Sequence, residues 1–302
     1  TDKTVSESED SDNSTKFLDE EEKDAKISVT VQNKKKKAKI KKKAKPKKKS
    51  TGKIVGIDLG TTFSAIAHIN SSGNVEVIPN VDGYATTPSV VFEDEDTILV
   101  GREAVRAALL EPERSAECFK RDLGYEYYSK KVSGEQIKPE ILSSYILKKL
   151  KQDAEDKIGP IKDAVITVPA YFDDSRRKST QDAGKIAGLN VVDIINEPSA
   201  AAIWYAYSQK EMKESTFLVY DLGGGTFDAT LMKRINENEF KTIATDGEVK
   251  LGGKDWDQRL FDYVCKEFLK KAGSDPREDD VAYQDLFMRI EESKRALSKH
   301  SS

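Results

Sequence analysis

Two short segments of the chain combine a carboxylate with glycines and threonines between runs of alternating apolar residues. The first is "IDLGTTF", which contains Asp58, and the second is "YDLGGGTF", which contains Asp221. Alternation of apolar and polar residues predicts strands with one buried face. Each segment is therefore predicted to be a β-hairpin whose turn carries the polar groups.

These residue types at a turn are suited to binding phosphate. Glycines allow a close backbone approach and expose N–H groups that attract anions, while Thr61, Thr62 and Thr226 add hydroxyl donors. A carboxylate repels phosphate unless a cation lies between them, and hydrated Mg²⁺ fits because it keeps several waters and takes one or two carboxylates. Asp58 and Asp221 are therefore predicted to hold Mg²⁺, through water, beside a nucleoside triphosphate.

The two segments form an internal repeat whose copies lie more than 160 residues apart. The alignment superposes four pairs of residues: Asp58 and Asp221, Gly60 and Gly223, Thr62 and Thr226, and Phe63 and Phe227. A single copy is most simply an ordinary hairpin turn without a ligand, but two copies with matching hydroxyls and aromatics favour a shared ligand. The spacing is too long for a solenoid and predicts two related lobes, each of which opens with a hairpin.

The rest of the pattern predicts an α/β layered protein. The segment "PEILSSYILKKLKQDAEDKIG" is typical of a helix, with Pro139 at its start and Gly159 at its stop. The strand "DAVITVPA", the helix "DDSRRKSTQDAGKIAG", the strand "VVDIIN" and the helix "PSAAAIWYAYS" then alternate. Asp173, Asp174 or Ser175 can cap the first of these two helices. After the second hairpin come a strand and two helices separated by Pro276.

A break in composition near residue 53 separates a charged arm from the rest. Residues 34–49 contain twelve lysines in sixteen positions, and residues 1–53 carry a net charge of +7 against −10 for the remainder. The arm has few apolar residues to bury, so we expect it to be disordered. It is predicted either to contact nucleic acid or another polyanion, or to act as a nuclear address or a solubilising tail.

Composition also bears on the compartment and on other classes of site. No apolar run approaches the about 18 residues that a membrane helix needs, so no membrane association is expected. Two cysteines, Cys118 and Cys265, and two histidines, His68 and His300, favour neither a disulfide framework nor a zinc site. These observations predict a cytoplasmic protein.

Four long segments resemble the nucleotide-binding domain of the 70-kDa heat-shock (DnaK-type) chaperones: "GIDLGTTFS", "VITVPAYFDDSRRKSTQDAGKIAGLNVVDIINEPSAAAI", "VYDLGGGTFDATL" and "LGGKDWDQRL". The resemblance covers residues 54–302 and implies the duplicated, ribonuclease H-like α/β fold of actin-like ATPases, with ATP or ADP in the cleft. It implies lobe I at 54–210 and an incomplete lobe II at 211–302. It further implies an ATP-hydrolysing chaperone of the stress response that acts on unfolded client polypeptides with a J-domain co-chaperone and a nucleotide exchange factor.

The resemblance also assigns roles to individual residues. Lys120 matches the catalytic lysine, Glu197 matches a carboxylate that binds metal and water, and Pro169 with Arg177 matches an allosteric relay. Asp58, Asp221 and Glu197 match residues near Mg²⁺, with K⁺ as a further candidate ion. The implied catalytic residues are Lys120, Asp58, Glu197, Asp221 and Thr226. The implied nucleotide-binding residues are Gly60, Thr61, Thr62, Gly223, Gly224, Gly225, Gly253, Glu291, Lys294, Arg295 and Ser298. Without the family pattern, Lys120 would be interpreted as a surface charge and Glu197 as a solvated residue at a helix start.

Three features depart from the family pattern. Residues 122–138 are tyrosine-rich and replace a longer insertion, which bears on contacts with exchange factors. Lys254 stands where the family usually has Glu, reversing a charge near the cleft. The sequence ends at Ser302, before the "GGSTR"-like turn, the linker and the substrate-binding domain that the resemblance implies. We therefore expect a fragment of a longer chaperone whose own nucleotide affinity is weak.

Three alternatives belong to other functional classes. An actin-like scaffold would use ATP for assembly, although "NEPSAAAI" and "VPAYFDDSRR" argue against it. A sugar kinase of the same superfold would need a sugar-binding acid, and none is recognisable. A polyanion-binding protein would act mainly through residues 34–49.

Overall fold

The computed structural model describes residues 52–208, 215–236 and 239–299. The predicted basic arm lies outside these ranges, apart from its last two residues. We call residues 52–208 the first half and residues 215–299 the second half. The boundary predicted at residue 210 falls in an undescribed stretch, so the division into two lobes stays a prediction.

The main sheet of the first half is built around the first predicted hairpin. Antiparallel strands β1 (Lys53–Asp58) and β2 (Phe63–Ile69) form this hairpin, and β1 also pairs in parallel with β8 (Ile161–Val168). The strand order is β3-β2-β1-β8-β9, where β3 is Val75–Val77 and β9 is Asn190–Asn196, and the short β4 (Thr87–Pro88) pairs with β2. The carboxyl ends of β1, β8 and β9 therefore lie at one edge of the sheet.

Helices α2 (Pro139–Ile158) and α3 (Asp174–Ile186) supply the largest core of the described residues. Apolar side chains of α2 at spacings of three and four residues, such as Leu142, Ile146 and Leu150, are buried together with those of β1 and β8. Gly184 lets α3 approach the sheet, because a Cβ there would lie 2.3 Å from a methyl group of Val191. The predicted α/β layering is confirmed.

A second, smaller sheet of the first half has the order β6-β5-β7, with β5 at Val90–Glu93, β6 at Ile98–Val100 and β7 at Ser115–Glu117. Helix α1 (Arg102–Ala107) packs against it, and 3₁₀ turns follow at Pro112–Arg114 and Phe119–Asp122. Strand β7 has only three residues, which is too few to give an alternating pattern in the sequence.

The second half begins after helix α4 (Glu197–Ser208). Its sheet has the order β10-β11-β12, all antiparallel, with β10 at Ser215–Leu222, β11 at Phe227–Asn236 and β12 at Glu239–Glu248. Helices α5 (Gly253–Ala272) and α6 (Asp280–Leu297) flank a 3₁₀ turn at Pro276–Glu278. The second predicted hairpin and the two final helices are confirmed.

Asp173 is the N-cap of α3, because its carboxylate accepts a hydrogen bond of 2.9 Å from the backbone N–H of Arg176. We expect Asp173→Ala to lower the free energy of unfolding by about 1 kcal/mol, the usual cost of losing a cap. Asp173→Asn keeps an oxygen acceptor and should retain most of the stability. Urea denaturation of both variants measures this difference, and equal losses in the two would show that the cap does not stabilise α3.

Candidate functional site

The first turn (residues 59–62) is folded tightly between β1 and β2. Gly60 donates its N–H to the Ser64 hydroxyl over 3.1 Å and accepts a hydrogen bond of 2.8 Å from Ser89. A Cβ at Gly60 would lie 2.0 Å from the carbonyl oxygen of Phe63, so only glycine fits. Asp58, at the end of β1, accepts a hydrogen bond of 2.8 Å from Thr167 of the neighbouring strand β8.

The second turn (residues 223–226) lies between β10 and β11 and rests on the start of α5. Gly223 closes the turn by donating to the carbonyl of Thr226 over 3.0 Å. The N–H groups of Gly253 and Lys254, at the start of α5, donate to the carbonyls of Gly223 and Gly224 over 3.1 and 3.0 Å. The helix therefore supports this turn from behind.

The structure brings the two turns into direct contact. A Cβ at Gly224 would lie 1.9 Å from the hydroxyl oxygen of Thr62, and a Cβ at Gly225 would lie 2.2 Å from a methyl group of Thr61. Glycine is thus required at both positions of the second turn for the first turn to approach. The repeat detected in the sequence is a pair of hairpins whose turns meet.

Several polar groups of the two turns have no partner among the described residues. The Thr62 hydroxyl is buried and forms no hydrogen bond with them. The backbone N–H groups of Thr61, Thr62, Gly224 and Gly225 are likewise unpaired within the described ranges. A phosphate group supplies the acceptors that such donors need, so the residues present fit a nucleotide.

Lys120 lies beside the turns, although a lysine in such a sequence is usually exposed. It is buried, with 3 % relative exposure, and its ammonium lies 2.6 Å from the Glu197 carboxylate. Lys120 comes from a 3₁₀ turn and Glu197 from the start of α4, directly after β9. Without the family pattern, Lys120 was expected to be a surface charge and Glu197 a solvated residue at a helix start. The structure buries both side chains.

Carboxylates converge around this single lysine. Burial raises the pKa of Glu197 to about 7, and the charges of Asp58 and Asp221 add to the rise while Lys120 opposes it. Burial and then the charge of Asp58 raise the pKa of Asp221, so the charges of the two repeated acids act on each other. Lys120 contacts Glu197, and its charge also lowers the pKa of Asp221 and Asp228, so the acids outnumber this ammonium group and a cation would balance the excess negative charge.

Asp228 is a member of this cluster that the sequence analysis missed. It is 2 % exposed, burial and the charge of Asp221 raise its pKa, and one of its oxygens has no hydrogen-bond partner among the described residues. Its pKa is held down in part by the backbone N–H groups of Ala170 and Tyr171. The available signal was a carboxylate on the inward face of β11, directly opposite Asp221 in the hairpin register.

Among the described residues, no three Asp, Glu, His or Cys side chains lie close enough together to hold a metal directly. The acids of the cluster interact at longer range, through their charges.

Pro169 and Arg177 lie together at the end of β8. Pro169 is buried and its carbonyl accepts a hydrogen bond from Phe172 over 3.1 Å. Arg177 donates to the Phe172 carbonyl over 2.9 Å and to the side chain of Asn196 over 2.6 Å. Since Asn196 directly precedes Glu197, contacts lead from the proline turn to the Lys120–Glu197 pair.

The predicted residues of α6 divide into two groups. Lys294 contacts the start of α5, the helix that supports the second turn. Its ammonium donates a hydrogen bond to the Gly253 carbonyl over 3.0 Å and pairs with the Asp257 carboxylate at 2.6 Å. Glu291 is half-buried beside Lys254, at 3.8 Å. Arg295 pairs with Glu291 but is mostly exposed, and Ser298, at the end of α6, is exposed.

The raised pKa of Glu197 predicts a pH-dependent stability. Protonation of Glu197 stabilises the fold fully below the unfolded value of 4.5, and this contribution is lost as the pH rises through about 7. In nucleotide- and Mg²⁺-free buffer we expect this group to contribute a fall of about 3 kcal/mol in the free energy of unfolding across that range. Urea denaturation at several pH values should therefore give a flatter profile for Glu197→Gln, which keeps an acceptor for Lys120. Parallel profiles for the two proteins would contradict the assignment.

None of the helices in the described part of the chain is both long and apolar enough to span a membrane.

Comparison with known proteins gives a family match over residues 54–302, to the model described as "Hsp70 protein". Similar proteins include the chaperone protein DnaK of Thermotoga petrophila and of Thermotoga maritima, each 50 % identical over 247 residues. DnaK of Thermosipho melanesiensis is 48 % identical over the same length.

Each of these alignments covers 81 % of the chain and 41 % of the relative, so the chain spans about two fifths of the length of its relatives. The match does not favour an actin-like scaffold, a sugar kinase or a protein that acts mainly through its basic arm. It confirms the resemblance and the actin-like α/β fold that the resemblance implies. The chain belongs to the Hsp70 family.

Proposed function

We propose that residues 54–302 bind ATP with Mg²⁺ between two lobes, 54–210 and 211–302, and hydrolyse it as the ATPase part of an Hsp70-type chaperone. One observation carries the proposal: the two repeated turns meet near a buried lysine that pairs with Glu197, a carboxylate whose pKa the charges of Asp58 and Asp221 raise. Family membership supports the same activity. ADP is the product that would remain in the cleft.

The turns would bind the phosphates through their unpaired donors. The hydroxyl of Thr62 and the N–H groups of both turns point to a polyanionic ligand. Thr61 and Thr226 are buried next to them and add hydroxyls. On the side of α6, the adenosine would lie against Glu291, Lys294, Arg295 and Ser298.

Lys120 would act on the reacting phosphoryl group. Phosphoryl transfer depends mainly on positioning and on electrostatic stabilisation of the transition state. Glu197 fixes the Lys120 ammonium from one side, which leaves its remaining hydrogens for an attacking water and the γ-phosphate. The pKa of about 7 also allows Glu197 to hold or release a proton near neutral pH.

Asp58, Glu197 and Asp221 would hold Mg²⁺ through water, and Asp228 would add charge behind them. When bound, Mg²⁺ supplies neutralisation of the phosphate charge. K⁺ is a candidate for a second ion at the same acids. The unbalanced negative charge of the cluster supports both assignments.

Pro169 and Arg177 would relay the state of the nucleotide to the rest of the parent chaperone. Their contacts reach Asn196 and hence Glu197, which supports this role. Unfolded polypeptides would bind in another domain of the parent, with a J-domain co-chaperone and an exchange factor as partners. We place this activity in the cytoplasm and in the stress response.

The lysines of residues 34–49 provide a second, separate proposal: contact with a polyanion. The specific observation in its favour is the density of twelve lysines in sixteen positions. Neutralising phosphates releases counterions, so such binding weakens steeply with salt.

We expect the full chain to bind ATP in a Mg²⁺-dependent manner and Lys120→Met to lower the rate of hydrolysis at least about 100-fold. This is the usual cost of removing one electrostatic group from the transition state. Isothermal titration with and without EDTA measures binding, and single-turnover phosphate release measures hydrolysis. If ATP binding is unchanged both by EDTA and by Asp221→Asn, the proposed site is refuted.

The control for this variant is Lys178→Met, which removes a side chain that is 72 % exposed on α3 and should leave hydrolysis unchanged. Retained ATP binding by Lys120→Met shows that the variant is folded. An unchanged rate in a variant that still binds ATP would remove Lys120 from the mechanism.

We expect the full chain to bind duplex DNA, used as a model polyanion, with a logarithmic affinity that falls linearly with the logarithm of salt concentration. Deleting residues 34–49 should abolish this binding, since it removes the lysines. Deleting the acidic residues 1–25 is the matched control and should not weaken it. Fluorescence anisotropy measures both, and salt-independent binding would argue against the polyanion contact.

A further inference from the structure

Arg176 is a buried cation in the first turn of α3. Its relative exposure is 9 %, and no carboxylate of the described residues pairs with its guanidinium. The positive end of the helix dipole also disfavours a cation in a first turn. Burying a charge costs free energy unless other groups compensate it, so the neighbours of this guanidinium must stabilise it in another way.

Two aromatic rings and two oxygen atoms surround Arg176 where a carboxylate would be expected. The central carbon of the guanidinium lies 5.3 Å from the ring centre of Tyr125 and 5.3 Å from that of Phe172, which is within the range of cation–π interactions. The guanidinium also donates to the Arg121 carbonyl over 3.5 Å and to the Tyr125 hydroxyl over 3.4 Å. Both hydrogen bonds are long, so the two rings are the main compensation for the buried charge.

These contacts attach α3 to the segment that carries Lys120. Arg121 directly follows Lys120 in the same 3₁₀ turn. A Cβ at Gly124 would lie only 2.7 Å from the Cγ atom of Arg176, and the Ser175 hydroxyl donates to the Gly124 carbonyl over 3.3 Å. The start of α3 therefore packs directly against the backbone that follows Lys120.

The Phe172 ring provides a second connection between Arg176 and Lys120. The Lys120 ammonium lies 5.9 Å from the centre of this ring, close to the distance at which Arg176 contacts it. Phe172 is buried with Leu123 and Val168 in a small apolar cluster. Because the ring is fixed by this packing, it can hold the side chains of both cations in place.

Arg176 and the next residue, Arg177, have different contacts. Arg177 donates to the Phe172 carbonyl and to the Asn196 side chain. The contacts of Arg176 are instead with Phe172 through its ring and with residues 121–125, on the side of Lys120. A role for Arg176 is therefore separate from the relay proposed for Pro169 and Arg177.

We propose that Arg176 is a positioning residue for Lys120. By holding residues 121–125 and the Phe172 ring, it keeps the Lys120 ammonium directed at Glu197 and at the reacting phosphoryl group. The effect on hydrolysis rests on the proposed function, but the support of the segment does not need nucleotide. None of the contacts of Arg176 described above is with the two turns, so it acts through Lys120 and is not a catalytic residue.

The test uses the full chain and compares Arg176→Gln with a matched control. Arg176→Gln removes the charge and the planar group that contacts the two rings, but it keeps a polar side chain. Arg106→Gln makes the same change at an exposed residue in the last turn of α1 and serves as the control.

The first measurement is hydrogen–deuterium exchange of nucleotide-free protein, in a peptide covering residues 118–125 and a reference peptide covering residues 139–150 of α2. We expect Arg176→Gln to raise exchange about fivefold in the first peptide only, as the loss of a cation–π contact implies, and the control to change neither. Unchanged exchange in residues 118–125 would overturn the proposal. An equal rise in both peptides would also overturn it, because Arg176 would then support the whole fold.

The second measurement is single-turnover hydrolysis together with ATP affinity from isothermal titration. We expect Arg176→Gln to lower the rate about tenfold at unchanged ATP affinity, because a displaced lysine loses contact with the transition state more than with the bound ground state. The control should match the wild type in both quantities. A rate equal to that of the wild type would overturn the positioning role.

A double-mutant cycle shows whether Arg176 acts through Lys120. The double variant Lys120→Met with Arg176→Gln should hydrolyse ATP at the rate of Lys120→Met alone, since the group that Arg176 positions is then absent. A further tenfold loss in the double variant would overturn the proposal. If the wild type itself does not hydrolyse ATP, the proposed function is refuted, and the exchange result then separately decides whether Arg176 holds the segment.

Discussion

The shortage of positive charge beside the two turns is the constraint on which the site depends. The buried Lys120 pairs with Glu197, and the charges of Asp58, Asp221 and Asp228 act within the same group of acids, of which Asp58 and Asp221 occupy equivalent places in the repeat. Desolvation already pushes the pKa of Glu197 up to about 7. Burying a charged group away from water costs free energy unless an opposite charge or hydrogen bonds compensate it. Such a cluster is stable when protons or cations balance its charge, which supports the proposed Mg²⁺ site.

The fold serves to bring these acids together. Parallel pairing of β1 with β8 and of β8 with β9 places Asp58 and Glu197 at one edge of the main sheet. The second hairpin contributes Asp221 and Asp228 from neighbouring strands. The two sheets are separate, so their approach depends on Gly224 and Gly225, where any side chain would strike the first turn. The glycines of the turns therefore allow the two sheets to approach, and the strand ends then place the acids close to one another.

The sequence predicted those features that depend on local pattern. The hairpins, α2 and the alternation after residue 160 carry signals within a few residues, and the cap of α3 was narrowed to Asp173, Asp174 or Ser175. Strand β7 left no signal because three residues are too few for periodicity. Asp228 was missed because its importance comes from facing Asp221 across a hairpin. The Arg121–Asp255 pair joins positions far apart in the chain, and no local rule connects them.

The segment from Glu117 to Arg121 joins the site to the second half of the chain. Lys120 points to Glu197 in the site, while its neighbours Glu117 and Arg121 reach α5 in the second half. Helix α5 in turn supports the second turn through the N–H groups of Gly253 and Lys254. The buried lysine and the second turn therefore depend on contacts with the same helix, so a substitution that loosens the start of α5 would disturb both.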